Sequence, residues 1–164
     1  LDDFVDGGIA ALNNLREVLN PKELDDAIGY LKDADIIYLA AQRRSFPVAS
    51  YLAYALAQLD KRCVLIDGNG GMFFEQGRSI RKGDALLAIS FKSYAPEVVK
   101  LVKETQEKEI PVVSISDGVL SPLTQHSNVC LEVEEVEVHA FRSLATTMTL
   151  ALTLVVALGQ KLQE

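Results

Sequence analysis

Between an apolar run ending at Ile89 and a proline at position 96 lies Ser90-Phe91-Lys92-Ser93-Tyr94-Ala95. Serine hydroxyls can donate to phosphate oxygens, and Lys92 adds a point charge beside them. The run before this loop reads as a strand and the stretch after Pro96 as a helix. Unpaired N–H groups and the positive end of a helix dipole therefore face the same residues, an arrangement suited to an anion. A plainer role is also open, in which Ser93 or Tyr94 simply starts the helix and Glu97 supports its first turn. The two roles are compatible.

A second loop, Gln42-Arg43-Arg44-Ser45, sets two adjacent arginines in a chain of net charge −7. Guanidinium groups take phosphate or carboxylate bidentately. The alternative is that both arginines are solvated. Ser45 is expected to cap the helix that contains Pro47. Ser121-Pro122 has the form of a helix cap followed by a first-position proline.

His139 follows the acidic stretch Glu132–Glu137 at the expected start of the last helix, where a solvated, a capping or a site role is open. His126 falls in a short polar helix and is expected to be exposed. Asp67 ends the second strand, where a dinucleotide fold would carry its ribose-binding acid. The first loop has no G-x-G-x-x-G, so no nicotinamide cofactor is expected. Cys63 and Cys130 sit inside the apolar runs Arg62–Asp67 and Val129–Val133, as buried free thiols would. No His/Cys group has metal-ligand spacing. No cofactor or metal is expected.

The elements that must position these residues follow from periodicity. At 164 residues, 49% apolar and 24% charged, the chain suits one globular core. Its acidic balance argues against gripping a nucleic-acid backbone. Leu1–Leu19 is helical in spacing, and Asn20-Pro21-Lys22-Glu23 has the form of a fresh helix start running on to about Lys32. Strands are expected at Asp35–Ala40, Arg62–Asp67, Ala85–Ser90, Pro111–Ser116 and Val129–Val133. Helices are expected through about Leu59, at Met72–Gln76, at Pro96–Lys108, briefly after Ser121, and from about Val138 to Lys161. This alternation implies βαβ units, a parallel sheet and right-handed crossovers. Ligands of such sheets bind at the carboxyl ends of the strands, where strand order reverses. Leu144–Leu158 is apolar, but it is broken by threonines and shorter than the roughly 20 residues a membrane span needs, so no membrane role is expected.

The order of elements, the hydroxyl-bearing loop after the third strand and Ser121-Pro122-Leu123 after the fourth together resemble the SIS (sugar isomerase) domain. The similarity runs from about Asp35 to Lys161, preceded by a helical lead-in over 1–34. It implies an α/β fold, a three-layer αβα sandwich around a five-stranded parallel sheet in flavodoxin-like order. It also implies a phosphorylated sugar as ligand, bound by an isomerase or by a regulator's sensor. The family's phosphate loop commonly reads Ser-x-Ser-Gly-x-Thr. Here Ser90 carries over, while Lys92 stands for the second serine, Ser93 for the glycine and Ala95 for the threonine. In the first loop Ser45 carries over and the glycines do not. The charges of Lys92, Arg43 and Arg44 would offset the missing hydroxyls, and a more anionic sugar acid becomes a second ligand class. Ser45, Arg43, Arg44, Ser90, Lys92, Ser93, Tyr94, Ser121 and His139 are the candidate binding residues.

The lead-in, with Asn20-Pro21-Lys22-Glu23-Leu24, resembles the segment that joins an RpiR-type DNA-binding head to its SIS domain. No helix-turn-helix pattern occurs in these residues, so DNA would be reached only through a head outside them. The Leu-Asp-Asp start is read as that of a segment from a longer cytoplasmic protein. An isomerase needs a base to move a proton between neighbouring carbons, and Glu134, Glu135, Glu137 and His139 are candidates. The lead-in and the altered loop favour a non-catalytic sensor, with an aldose–ketose isomerase as the alternative. Leu144, Met148, Leu150, Ala151, Leu154, Val155 and Leu158 cover more of the last helix than one core stripe requires, which points to a homodimer or tetramer.

Overall fold

The computed structural model describes residues 1–164. Three runs, β1 (Ile37–Ala41), β3 (Ala85–Ile89) and β4 (Val112–Ser116), are buried at every position. They form the centre of a parallel sheet whose outer strands are β2 (Cys63–Ile66) and β5 (Val129–Glu132). The order is β2-β1-β3-β4-β5. Side chains of period two divide the sheet between two apolar layers. Ile37, Leu39, Leu87, Ile89, Val113 and Ile115 face one layer; Tyr38, Ala40, Leu86, Ala88 and Val112 face the other. Continuous apolar strands suit a sheet covered on both faces.

The first layer holds α1 (Asp2–Val18), α2 (Pro21–Asp33), α3 (Phe46–Gln58) and α7 (Ala145–Gln163), which supply Leu15, Ile28, Leu52 and Leu154 to the core. The second holds the short α4 (Phe73–Gly77), α5 (Pro96–Glu107) and the short α6 (Pro122–Gln125), with Phe73, Leu101 and Leu123 inward. This is the expected three-layer sandwich with flavodoxin-like strand order. The first 34 residues add to its core: α2 lies on α7 and β5, and α1 lies on α7. Asn20 caps α2 by accepting from the Lys22 N–H at 2.9 Å. Ser121 likewise caps α6 by accepting from the Leu123 N–H.

Three expectations need correction. The last helix begins at Ala145, not near Val138. Before it stands a small antiparallel hairpin, β6 (Glu137–Val138) and β7 (Phe141–Arg142). Its turn residues His139 and Ala140 both have positive φ, 49° and 64°, as two-residue turns matched to strand twist require. Neither is the Asn or Gly that usually marks such a turn. The N-terminal N–H groups of the helix find partners at this later start. Thr147 N–H donates to the Glu135 carboxylate at 2.9 Å and Ala145 N–H to Ser143 Oγ at 3.1 Å. Ser45, the second correction, makes no side-chain cap bond. Residues Arg43–Ser45 wind into a 3₁₀ turn continuous with α3, so Ser45 is already helical in φ and ψ. The third concerns Cys63 and Cys130, which are free but half-buried. Burial still pushes both thiols above their ordinary value.

The helix α7 is long and apolar enough to cross a membrane by length and composition. In this fold Leu150, Ala151, Leu154 and Leu158 on one of its faces are buried in the core.

Candidate functional site

In strand order β2-β1-β3 the chain reverses direction across the sheet between β1 and β3. Ala41 and Ile89, the last residues of these strands, are register partners. The loops that follow them therefore emerge side by side, and a crevice opens between them. It has a volume of about 570 Å³. Gln42 to Ser45 form one wall and Ser90 to Pro96, without Lys92, the other; Glu137, Ala140, Arg142 and Leu144 complete the lining.

The floor is built of buried hydroxyls. Ser45 and Ser90 are only 6% and 4% exposed. Ser90 Oγ accepts from the Ala95 N–H at 3.1 Å, which ties the loop back on itself. Ser116 Oγ donates to the Ser90 carbonyl at 2.7 Å and lies 2.6 Å from Ser121 Oγ. A hydroxyl carries one proton, so Ser121 is the donor in that second contact. Two helices of 13 and 12 residues, α3 and α5, begin at the walls. Their dipoles make the crevice favourable to an anion.

The rim is built of charge. Arg44 donates to the Ala140 carbonyl at 3.1 Å and stands 3.8 Å from Glu137 Oε2. Arg142 donates to the Lys92 carbonyl at 3.1 Å, stands 3.8 Å from Asp117 Oδ2 and 3.7 Å from Glu137 Oε2, and lies 5.0 Å over the Phe91 ring. Its side chain is only 12% exposed. Asp117 also accepts from the Lys92 N–H at 2.8 Å and from the Tyr94 hydroxyl at 2.7 Å. Desolvation first, and then this carboxylate, push the Tyr94 phenol above its ordinary value. Tyr94 is thus a neutral hydroxyl at neutral pH. Three arginines and one carboxylate line the crevice.

Six candidate residues meet here: Arg43, Arg44, Ser45, Ser90, Ser93 and Tyr94. Three do not line it. Lys92 is exposed, and only its backbone is engaged, bonding to Asp117 and Arg142. Ser121 is fully buried below the floor with its hydroxyl committed to Ser116 and Leu123. His139 is exposed at the hairpin turn. The extra positive charge at the crevice comes from Arg142, which the sequence reading missed. The helix expected from about Val138 would have carried Arg142 away from the strand ends, and no local pattern marks the hairpin that holds it. His126 is half-buried, with Nδ1 2.8 Å from Gln106 Oε1.

Hydroxyls, guanidinium groups and two helix N-termini meet at the switch point of a 2-1-3-4-5 sheet, an arrangement suited to an anion in a domain of the doubly wound class. The chain belongs to the SIS domain family, whose profile matches residues 30–158. It is 24% identical over 135 residues to the bifunctional protein glk of Burkholderia thailandensis, covering 81% of this chain and 20% of that protein. The chain thus spans about a fifth of the length of the curated relatives it matches. Among solved structures, the sugar isomerase domain of the RpiR transcription factor from Sphaerobacter thermophilus superposes with a TM-score of 0.92 at 18% identity, covering 98% of this chain and 89% of that one. The Vibrio vulnificus NanR protein, complexed with ManNAc-6P, gives 0.81 at 23% identity over 98% of this chain and 61% of that one. Phosphoheptose isomerase GmhA from Neisseria gonorrhoeae gives 0.74 at 18% identity, covering 94% and 93%. At these identities the superpositions establish a shared fold.

Proposed function

We propose that this chain is the sugar-phosphate-binding effector domain of an RpiR-like transcriptional regulator, acting without isomerase chemistry in the cytoplasm. The observation that carries the ligand class is the crevice itself, where Ser45, Ser90 and the α3 and α5 N-termini face Arg44 and Arg142. The NanR structure with its phosphorylated sugar supports the same class. The high superposition on an RpiR sugar isomerase domain, α1 and α2 included, supports the regulatory setting. DNA would be met by a separate helix-turn-helix head. Exposed apolar side chains on α7 (Leu152, Val156) and α3 (Tyr51, Tyr54) support a homodimer, and sedimentation as a monomer at micromolar concentration would sink that part.

Isomerase activity is the second reading. It has Glu137 in its favour, the one carboxylate on the crevice wall, and the likeness to GmhA. That carboxylate stands between two guanidinium groups, a placement better suited to organising charge than to taking a proton from carbon. Exchange of a carbon-bound proton of arabinose 5-phosphate or fructose 6-phosphate into heavy water would establish the enzyme.

A thermal-shift screen of phosphorylated sugars and sugar acids tests the ligand class. A molecule that binds only the folded state raises stability with the logarithm of its saturation. Arg142→Ala should weaken a hit tenfold or more, equivalent to about 1.4 kcal/mol, and Ser90→Ala should weaken it as well. A hit indifferent to both substitutions places the site elsewhere.

A further inference from the structure

The carboxylate of Glu137 occupies the place where an incoming anion would meet the crevice's arginines. Its Oε2 lies 3.8 Å from Arg44 on the wall formed by the first loop and 3.7 Å from Arg142, its cross-strand partner in the hairpin, so one oxygen is shared by two guanidinium groups. Both distances are longer than the roughly 2.7–2.9 Å of a charge-assisted hydrogen bond. The arginines make their short contacts elsewhere, to the Ala140 and Lys92 carbonyls. Glu137 is therefore an attached monoanion, loosely held on a site that could grip an anion directly.

The same segment leads away from the crevice to the first helix. Val136, next in the chain, packs so closely on α1 that a Cβ at Gly7 would collide with its side chain. Glu134 accepts from the Asn14 side-chain amide at 3.2 Å. Ser143 N–H donates to the Val136 carbonyl at 2.9 Å, which ties the base of the hairpin to this strip. Three residues thus connect a carboxylate at the pocket to two positions about two helical turns apart on α1.

Taking the crevice as the anion site argued above, we propose that Glu137 is a built-in pseudo-ligand that sets its specificity. A dianionic phosphate displaces it, a carboxylate does not, and the displacement is passed through Val136 and Glu134 to α1. Exchanging Glu137 for a carboxylate replaces one monoanion by another and gains no charge. A phosphate dianion offers more charge and three oxygens, enough to engage both guanidinium groups with short bonds. The bound state is then one in which the hairpin strand moves off Arg44. The ligand class this favours is the phosphorylated sugar over the sugar acid.

Amide-resolved NMR of the chain, titrated with inorganic phosphate and separately with acetate, tests this in the wild type and in Glu137→Gln. The wild type should bind phosphate at least tenfold more tightly than acetate, with shifts at Arg44, Ser45 and Ala95. Glu137→Gln, which keeps the size and loses the charge, should bind phosphate about threefold more tightly and narrow the gap to acetate. Phosphate should also shift amides of Gly7 to Asn14 in the wild type, and in the variant these should start displaced toward their bound positions. Equal phosphate affinity in the two proteins overturns the pseudo-ligand while leaving the anion site standing. Shifts confined to the crevice loops overturn the link to α1. No response of the crevice loops to phosphate in either protein overturns both this inference and the proposed site.

Discussion

The floor and the rim of the crevice are built by different physics. The floor is Ser45 and Ser90 on the loops that follow two central strands; Ser90 is pinned by bonds at its hydroxyl and carbonyl and Ser45 by its N–H on the Gln42 carbonyl, over a core that is almost wholly apolar. The rim is a hairpin of two residues per strand, held to the loops by Arg44 and Arg142 across 96 and 50 residues of sequence. Its ion pairs are 3.7–3.8 Å long, and Glu137 is 45% exposed. The Arg44–Glu137 pair, 48% and 45% exposed, is a surface pair and contributes about 0–1 kcal/mol. The floor can therefore hold its shape without ligand, and the rim can yield to one. In the proposed function, recognition would fall to the floor and response to the rim.

The largest test of that division is a matched pair of substitutions. Ile89 ends β3 directly before Ser90 and is fully buried. Ile89→Ala removes core volume that its neighbours in a close-packed sheet cannot refill, and should cost about 2–5 kcal/mol in urea unfolding. Phe141 on the hairpin is 74% exposed, and Phe141→Ala should change stability by no more than about 0.5 kcal/mol. If the two losses are similar, the rim is as much a part of the core as the floor, and the comparison fails.

The same division explains what could be read from the residues alone. The strands announced themselves as continuous apolar runs, and Asn20-Pro21 and Ser121-Pro122 announced their helices, because those signals are local. Ser45 and Ser90 could be placed on facing loops because a parallel sheet fixes where its loops emerge. Arg142 could not, since its position depends on contacts with Lys92, Asp117 and Glu137 that no local pattern encodes. Lys92 stands outside the lining for the complementary reason. Its type and place in the loop fit a phosphate ligand, but its peptide N–H and carbonyl are taken by Asp117 and Arg142 while its side chain is exposed. The hairpin was hidden because His139-Ala140 adopts left-handed backbone without the Asn-Gly signature.

A smaller effect probes what lies beneath the floor. Ser121 is fully buried and links Ser116, and through it the Ser90 carbonyl, to the start of α6. Ser121→Ala leaves the Leu123 N–H without its partner and removes the proton given to Ser116. It should cost about 1–3 kcal/mol. Phosphate-sugar affinity, measured well below the new melting point, should change little, because Ser121 does not line the crevice. A loss of affinity as large as that of Arg142→Ala would make Ser121 a ligand contact after all.

The smallest effect belongs to Glu135, where the rim is joined to α7. Its Oε1 accepts from the Thr147 N–H, while Oε2 and Thr147 Oγ1 are buried without partners. Burial raises the carboxyl above its ordinary value, more than the neighbouring polar groups of Thr146, Thr147 and Ser143 lower it. The folded chain then holds this proton to higher pH than the unfolded chain does. As pH rises from about 4.3, the ordinary glutamate value, the unfolded state ionises first and folding loses stability until the folded carboxyl has also ionised. Glu135→Gln keeps an oxygen for Thr147 and cannot ionise. Its melting temperature relative to the wild type should rise as pH goes from 4 to 7. A difference that is flat in pH would mean that water reaches Glu135 freely, and that the junction between rim and helix is as open as the rim itself.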